Sequence, residues 1–246
     1  MSEDYAPVSV GGTNVGRLPV YRDLGAGVWI WPVSVIAALA YGTFYFRRPP
    51  SLARTAVKTA AVGGLAVTSA LAASPWPLTL ALALSALGDA LLASETERGL
   101  QLGLASFLIA HLAYVALFLG VGDGVTADRP WSPTTAPATH LLAAAAVLVA
   151  ALAMLAWLWP GLGRMRTAVA LYVAAIVAMV TASLLLPLGY AFASAGALMF
   201  FASDAILAAK LFRGKLTGLV GDLLVWWLYY LGQLAIVSCF GGQSTF

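Results

Sequence analysis

The sequence predicts an all-α integral membrane protein, folded as a bundle of eight transmembrane helices. Hydrophobic residues make up 61% of the chain and charged residues 9%, and the mean hydropathy is +0.91, far outside the composition of soluble domains. The apolar residues are gathered into segments long enough to cross a bilayer. Because backbone groups in lipid must be satisfied within each segment, and because these segments lack the alternation of barrel strands, they favour helices.

Eight apolar segments follow one another along the chain. They cover residues 28–46, 52–72, 77–93, 101–121, 140–159, 167–186, 190–212 and 217–240. Before them, residues 1–27 form a polar tail that lacks the basic start and apolar core of a cleaved signal peptide. Residues 241–246 form a short C-terminal tail, so the predicted organisation is one transmembrane domain, 28–240, between two tails.

Basic residues are distributed unevenly between the two ends of these segments. One set of alternating ends carries Arg47, Arg48, Arg54, Lys58, Arg98, Arg164, Arg166, Lys210, Arg213 and Lys215, and the other carries Arg17, Arg22 and Arg129. Because cytoplasmic loops are enriched in Lys and Arg, this bias predicts that both termini lie outside the cytoplasm. The net charge of +3 fits this topology and anionic lipid headgroups, and it gives no reason to invoke nucleic acid. The excess of Arg over Lys and the abundance of Ala indicate a bacterial plasma membrane.

Two acidic residues, Asp89 and Asp204, lie inside apolar segments, in the related settings LSALGDALLAS and MFFASDAILAAKLF. A charge in hydrocarbon costs about 3 kcal/mol or more unless it is paired or hydrated, so such residues mark functional sites. The helical rise places them about 8 and 13 Å from the cytoplasmic ends of their helices. Lys58, Tyr172 and Asp222 lie about 8 to 9 Å from the same side. We therefore predict that five polar groups share one layer.

An internal repeat supports this arrangement. RTAVKTAAVGGLAV from Arg54 resembles RTAVALYVAAIVAM from Arg166, and GDALLAS resembles SDAILAA. HLAYVALF from His111 aligns with QLAIVSCF from Gln233. The order and direction of these matches predict a tandem parallel duplication of a four-helix unit, with the two aspartates in equivalent positions.

The other polar residues have two interpretations each. Lys58 binds a lipid phosphate or extends its ammonium to the membrane surface. His111, about 15 Å along its helix, contacts a substrate or carboxylate, or holds its helix through an interhelical hydrogen bond. Asp222 pairs with Lys58 or lines a watery entrance, or it is a helix-start residue facing headgroups. Tyr and Gln side chains commonly bridge helices in membranes, so packing and hydrogen-bonding roles are favoured over catalysis for Tyr114, Tyr172, Tyr230 and Gln233.

Four side chains are possible ligands for a divalent metal ion: Asp89, Asp204, Asp222 and His111. This set suits a hard ion, but the sequence has no HExxH motif and lacks the usual zinc ligands. The single Cys239 completes no cysteine metal site and closes no internal disulfide. We therefore predict chemistry without a metal or cofactor.

The ordered strings GDALL, GLASFLIAHLAY, GALMFFASDAILAAKLF and YYLGQLAI resemble the YhhN family of membrane proteins, the lysoplasmalogenases. The resemblance covers about residues 58–233. It implies an eight-helix hydrolase that cleaves the vinyl ether bond of lysoplasmalogens, releasing a fatty aldehyde and glycerophosphoethanolamine or glycerophosphocholine. It also implies catalytic roles for Asp89 and Asp204. Substrate-binding roles are expected for Lys58, His111, Tyr114, Tyr172, Tyr230 and Gln233.

Two carboxyl groups suit this reaction. Protonation of the alkenyl carbon distal to oxygen gives an oxocarbenium ion, which water captures, so one carboxyl must carry a proton and the other must be ionised. We expect Asp89 and Asp204 to form this pair, in either order. Paired intramembrane carboxylates in duplicated bundles also occur in proton-coupled transporters, which makes a carrier of a lysolipid or small amphiphile the alternative. A lipid-binding scaffold is the third interpretation.

Overall fold

A computed structural model describes residues 27–125 and 138–241, and this part of the chain is helical. Its eight long helices are α1 (Gly27–Ala40), α2 (Leu52–Leu71), α3 (Trp76–Leu92), α4 (Glu97–Val125), α5 (Ala138–Leu158), α6 (Arg166–Leu184), α7 (Ala191–Arg213) and α8 (Leu219–Phe240). A π-helical turn, Tyr41–Tyr45, extends α1. The predicted tails, apart from Gly27 and Gly241, lie outside the described residues, as do Arg17, Arg22 and Arg129.

The eight helices predicted from hydropathy are confirmed, and most of their ends lie within a few residues of the predicted ones. The main difference is α4, which begins at Glu97 and ends at Val125, whereas the sequence predicted 101–121. The apolar pattern stops at the charged residues Glu97 and Arg98, but the helix does not. An acidic side chain in the first turn stabilises a helix through the dipole, so Glu97 can open α4.

The outer surface of the bundle is apolar. Leu142, Val149 and Phe192 are each about two-thirds exposed, as lipid-facing side chains would be. Five helices, α4 to α8, are long and apolar enough to cross a membrane. The apolar helix α3 has 17 residues and falls short of that length. The described part of the chain is therefore that of a multi-pass membrane protein.

Sequential helices pack as neighbours: α1 lies against α2, α2 against α3, α3 against α4 and α7 against α8, while α4 and α6 join the two halves. Large buried side chains, among them Tyr114, Phe118, Phe200 and Phe240, fill the centre where these helices meet. Phe118 and Phe240 are 5.9 Å apart between ring centroids, which ties α4 to α8. This packing places α2, α3, α6, α7 and α8 around a common interior.

Two glycines bring α7 and α8 into backbone contact. A Cβ atom on Gly196 would lie 2.5 Å from the carbonyl oxygen of Gly232, and one on Gly232 would lie 2.7 Å from the carbonyl oxygen of Gly196. Neither oxygen can move unless a helix moves. Small residues allow this kind of close approach between membrane helices.

We expect Gly196→Ala to destabilise the fold by about 1 to 3 kcal/mol, because the added methyl group forces α7 and α8 apart. A thermal melt of the detergent-purified protein measures the effect as a fall in Tm. Gly63→Ala is the matched control, since a Cβ there would lie 3.8 Å from the nearest atom, Cβ of Ala86. Ala is favoured over Gly in helices, so this control should keep or raise the Tm. Equal melting temperatures in the two variants would contradict the prediction.

Candidate active site

A cavity of about 770 Å³ lies inside the bundle. Every helix from α2 to α8 contributes to its lining, through residues that include Lys58, Asp89, Leu104, Met154, Tyr172, Asp204 and Tyr229. Its polar lining residues include both aspartates. The apolar lining residues contributed by α5 and α6 include Met154, Leu158, Val169 and Val173.

The first of the two carboxyl groups, Asp89 on α3, is almost completely buried, with 1% of its surface exposed. The ammonium of Lys58 on α2 lies 2.9 Å from Oδ1. The hydroxyl of Tyr229 on α8 donates a hydrogen bond to Oδ2 at 2.7 Å. Both oxygens of this carboxyl therefore have a donor, and one of these donors is a cation that balances a negative charge on Asp89.

The second carboxyl group, Asp204 on α7, has a different environment. The hydroxyl of Tyr172 on α6 donates a hydrogen bond to its Oδ2 at 2.5 Å. Nε2 of His111 on α4 lies 3.8 Å from the same oxygen, which is too long for a hydrogen bond. Within residues 27–125 and 138–241, no Lys or Arg forms an ion pair with Asp204.

The two carboxyl groups line one cavity but differ in electrostatic environment. Asp89 has a lysine ammonium beside it, whereas the nearest donor to Asp204 is a neutral phenol. Two carboxyl groups of one cavity in different surroundings can hold different protonation states at one pH, which is the arrangement that acid and base catalysis needs.

His111 is fully buried beside this pair. Its imidazole ring packs edge-on against Tyr172, with 5.1 Å between centroids, and against Phe200, at 4.8 Å. His111 is not among the described residues that line the cavity. The imidazole thus packs against the ring of Tyr172, and the hydroxyl of Tyr172 contacts Asp204.

Three further predicted substrate-binding residues lie away from the described lining of the cavity. The hydroxyl of Tyr114 donates a hydrogen bond to Oε1 of Gln233, and both side chains are fully buried between α4 and α8. The hydroxyl of Tyr230 pairs with that of Ser34 on α1, at 2.9 Å. These contacts join helices to one another.

On α8, the tyrosine that contacts a carboxyl group is Tyr229, which was not among the residues selected from the sequence. Adjacent residues on a helix point about 100° apart, so only one member of the Tyr229–Tyr230 doublet faces the cavity. Asp222, Trp226 and Tyr229 follow one another at helical spacing and all line the cavity. The helical spacing between Asp222 and Tyr229 was therefore the signal in the sequence that could have identified Tyr229.

Asp222 lines the cavity and lies in the first turn of α8, so its position is compatible with both the entrance and the helix-start interpretations. Its Oδ1 accepts a charge-assisted hydrogen bond from Lys210, and its Oδ2 lies 3.9 Å from Nε of Arg47. The alternative pairing of Asp222 with Lys58 is wrong, because Lys58 pairs with Asp89.

Within the described ranges, no three His, Cys, Asp or Glu side chains come together as metal ligands would.

An apolar helical bundle that encloses two carboxyl groups in one cavity defines a multi-pass membrane protein with an intramembrane acidic site. The model of the YhhN family matches residues 29–240, and the chain belongs to this family. Two relatives named Lysoplasmalogenase, from Mycobacterium bovis and Mycobacterium tuberculosis, are each 32% identical over 241 residues. Each alignment covers 91% of this chain and 87% of the relative. No solved structure matches the chain significantly.

Proposed function

We propose that this protein is a membrane-embedded hydrolase that cleaves the vinyl ether bond of lysoplasmalogens. The products are a fatty aldehyde and glycerophosphoethanolamine or glycerophosphocholine. The observation that carries the proposal is the pair Asp89 and Asp204 in one buried cavity, with a cation beside one carboxyl group and a neutral phenol beside the other. The names of the two mycobacterial relatives support this choice of substrate.

The shape and chemistry of the cavity support an amphiphilic substrate. Its volume of about 770 Å³ lies in the range of small-molecule sites. The vinyl ether bond of a lysoplasmalogen joins a polar glycerophosphate to an apolar chain. The lining includes the charged residues Arg54 and Glu95, the two aspartates, and apolar residues contributed by α5 and α6. We propose that a bound lysolipid lies with its scissile bond at the carboxyl groups and its chain against the apolar residues.

We assign the role of general acid to Asp204. Tyr172 and His111 are its nearest polar neighbours, and neither brings a fixed positive charge, so Asp204 is the carboxyl group more easily kept protonated. Its proton passes to the alkenyl carbon distal to the ether oxygen. The electrons of the double bond form the new C–H bond, and the adjacent carbon becomes an oxocarbenium ion.

We assign electrostatic stabilisation to Asp89, whose carboxylate faces the developing cation. Lys58 and Tyr229 hold its two oxygens in place. Water adds to the oxocarbenium carbon and returns a proton to Asp204, which gives a hemiacetal. Cleavage of the hemiacetal C–O bond then releases the aldehyde, and the hemiacetal hydroxyl proton is transferred to the departing glycerol oxygen. The division of roles resembles glycoside hydrolysis, which also passes through an oxocarbenium-like transition state.

The supporting residues fall into two groups under this proposal. Lys58 and Tyr172 line the cavity and contact the carboxyl groups, so they act at the substrate. Direct substrate contact by the others, as predicted from the sequence, stays a prediction, and their observed partners favour roles in holding helices together. This second group contains His111, Tyr114, Tyr230 and Gln233.

The proposal also covers the origin, the extent and the membrane orientation of the bundle. We propose that the bundle arose by tandem duplication of a four-helix unit, with Asp89 and Asp204 equivalent. The domain would extend over residues 28–240 between two tails. The uneven distribution of Lys and Arg supports an orientation with both termini outside the cytoplasm, so the site would face the cytoplasmic half of the bilayer. The excess of Arg over Lys and the abundance of Ala support a bacterial plasma membrane.

Purified protein in detergent is expected to release aldehyde from lysoplasmenylethanolamine. The control substrate is the ester lysophosphatidylethanolamine, which has no vinyl ether and should yield no aldehyde. In D₂O the product should carry one deuterium on the carbon next to the carbonyl, because that carbon receives the catalytic proton. Absence of aldehyde from a folded preparation would overturn the proposal and favour the transporter alternative, for which proton-coupled uptake into liposomes is the assay.

A further inference from the structure

A second charged pair lies at the polar end of the cavity. Nη1 of Arg54 in the first turn of α2 is 2.6 Å from Oε1 of Glu95, in the connection between α3 and α4. The two partners are unequally buried: the Arg54 side chain is 11% exposed and that of Glu95 is 53% exposed. Both line the cavity. The cation therefore lies inside the site, whereas its carboxylate partner lies at the entrance.

The guanidinium of Arg54 has more donors than its partner uses. Its Nε is buried and, within the described residues, has no hydrogen-bond partner. Guanidinium offers five N–H donors in a planar fork that suits an anion with several oxygens. A single oxygen of Glu95 engages Nη1. The arrangement suits a phosphate, whose several oxygens can take up donors that one carboxylate oxygen leaves unused.

The carboxylate of Glu95 can be displaced from Arg54. The Glu95 side chain is more than half exposed, so water can replace the arginine as its partner. An incoming anion can therefore displace Glu95 from Arg54 at little cost.

The position of Arg54 relative to the carboxyl groups fits a phospholipid. Arg54 and Lys58 lie four residues apart, one above the other on α2, and Lys58 contacts Asp89. Arg54 is thus about 6 Å further towards the helix end than the carboxyl layer. In a lysoplasmalogen the three carbons of glycerol separate the vinyl ether oxygen from the phosphate, a reach close to one helical turn.

We infer that Arg54 binds the phosphate of the substrate headgroup and that Glu95 pairs with Arg54 only while the site is empty. This inference rests on the proposed function and deepens it. It differs from the role expected for Lys58, since the ammonium of Lys58 is already engaged by Asp89. Arg54 is then a specificity-determining residue that selects lipids with a phosphate one glycerol length from the scissile bond.

Three variants test this inference by kinetics with lysoplasmenylethanolamine. Arg54→Gln should raise KM about tenfold or more with kcat unchanged, because a charge-assisted contact made equally in ground and transition states is lost. Glu95→Gln should lower KM, because it removes the internal competitor. Arg166→Gln is the matched control: Arg166 begins the second RTAV string, stacks on Trp159 and is absent from the described cavity lining, so KM should not change.

The Glu95→Gln variant separates substrate binding from a structural role. If Arg54 only holds Glu95, the two variants lose the same ion pair and must show the same change in KM, which would overturn the inference. Binding of glycerophosphoethanolamine, measured by isothermal titration calorimetry, gives a readout that needs no turnover. Wild type should bind it and Arg54→Gln should bind about tenfold or more weakly. Equal binding, or no binding to wild type, overturns the inference, whereas binding without aldehyde release overturns the proposed reaction alone.

Discussion

Asp204→Asn should lower aldehyde release from lysoplasmenylethanolamine by about 10³-fold or more, the loss expected when a positioned general acid is removed. The amide has the size of the carboxyl group and can still accept the hydrogen bond from Tyr172, so the fold should persist. Asp89→Asn should lower kcat by about 10²- to 10³-fold, because an amide cannot neutralise the oxocarbenium ion. The measurements are kcat from aldehyde release, and Tm and gel filtration as tests of folding.

Asp222→Asn is the matched control for both substitutions. Asp222 lines the same cavity but pairs with Lys210 and Arg47 near the helix ends, away from Asp89 and Asp204. Its replacement removes one carboxylate from the cavity without touching the proposed catalytic pair. Activity near the wild-type value in Asp89→Asn or Asp204→Asn would refute the pair mechanism, even if the wild-type protein is a hydrolase.

Lys58→Met should lower kcat by about 100-fold, because Asp89 loses the cation that holds its charge and position. It should also lower the Tm, since removal of one member of a buried ion pair leaves an uncompensated charge, at a cost of about 3 to 5 kcal/mol. Lys58→Arg keeps the charge and should retain more activity than Lys58→Met.

The double variant Lys58→Met/Asp89→Asn shows how Lys58 acts. If Lys58 works only through Asp89, the double variant should be no less active than Asp89→Asn alone, because residues that act as a unit are not additive. Its Tm should exceed that of Lys58→Met, since both charges have been removed together. Losses that multiply would instead show that Lys58 contacts the substrate independently, as a phosphate-binding lysine would.

The helices of this protein could be predicted from the sequence because hydropathy is a local property. A segment that faces lipid must be apolar over its whole length, so the pattern along the chain is enough to locate it. The same rule makes an intramembrane carboxyl group conspicuous, and Asp89 and Asp204 could be selected without knowledge of their neighbours. The failure at the start of α4 has the same origin: Glu97 and Arg98 are charged yet helical, and hydropathy excludes them.

The partners of the polar residues depended on the packing of helices that are distant in sequence. A depth along the helix places Lys58 level with both Asp89 and Asp222, but only the rotation of α2, α3 and α8 about their axes makes Asp89 its partner. A rotation of about 100° likewise separates Tyr229, which contacts Asp89, from Tyr230, which contacts Ser34.

Arg54 illustrates the same limit. In the sequence it is one of ten basic residues at the predicted cytoplasmic ends, and its RTAV setting recurs at Arg166. Burial distinguishes the two, because Arg54 lies inside the cavity beside Glu95 whereas Arg166 stacks on Trp159 at the surface. The sequence thus specified helix positions and the unusual acidic residues, which follow from local transfer energies. Partner choice followed from helix rotation and contact, which are properties of the assembled bundle.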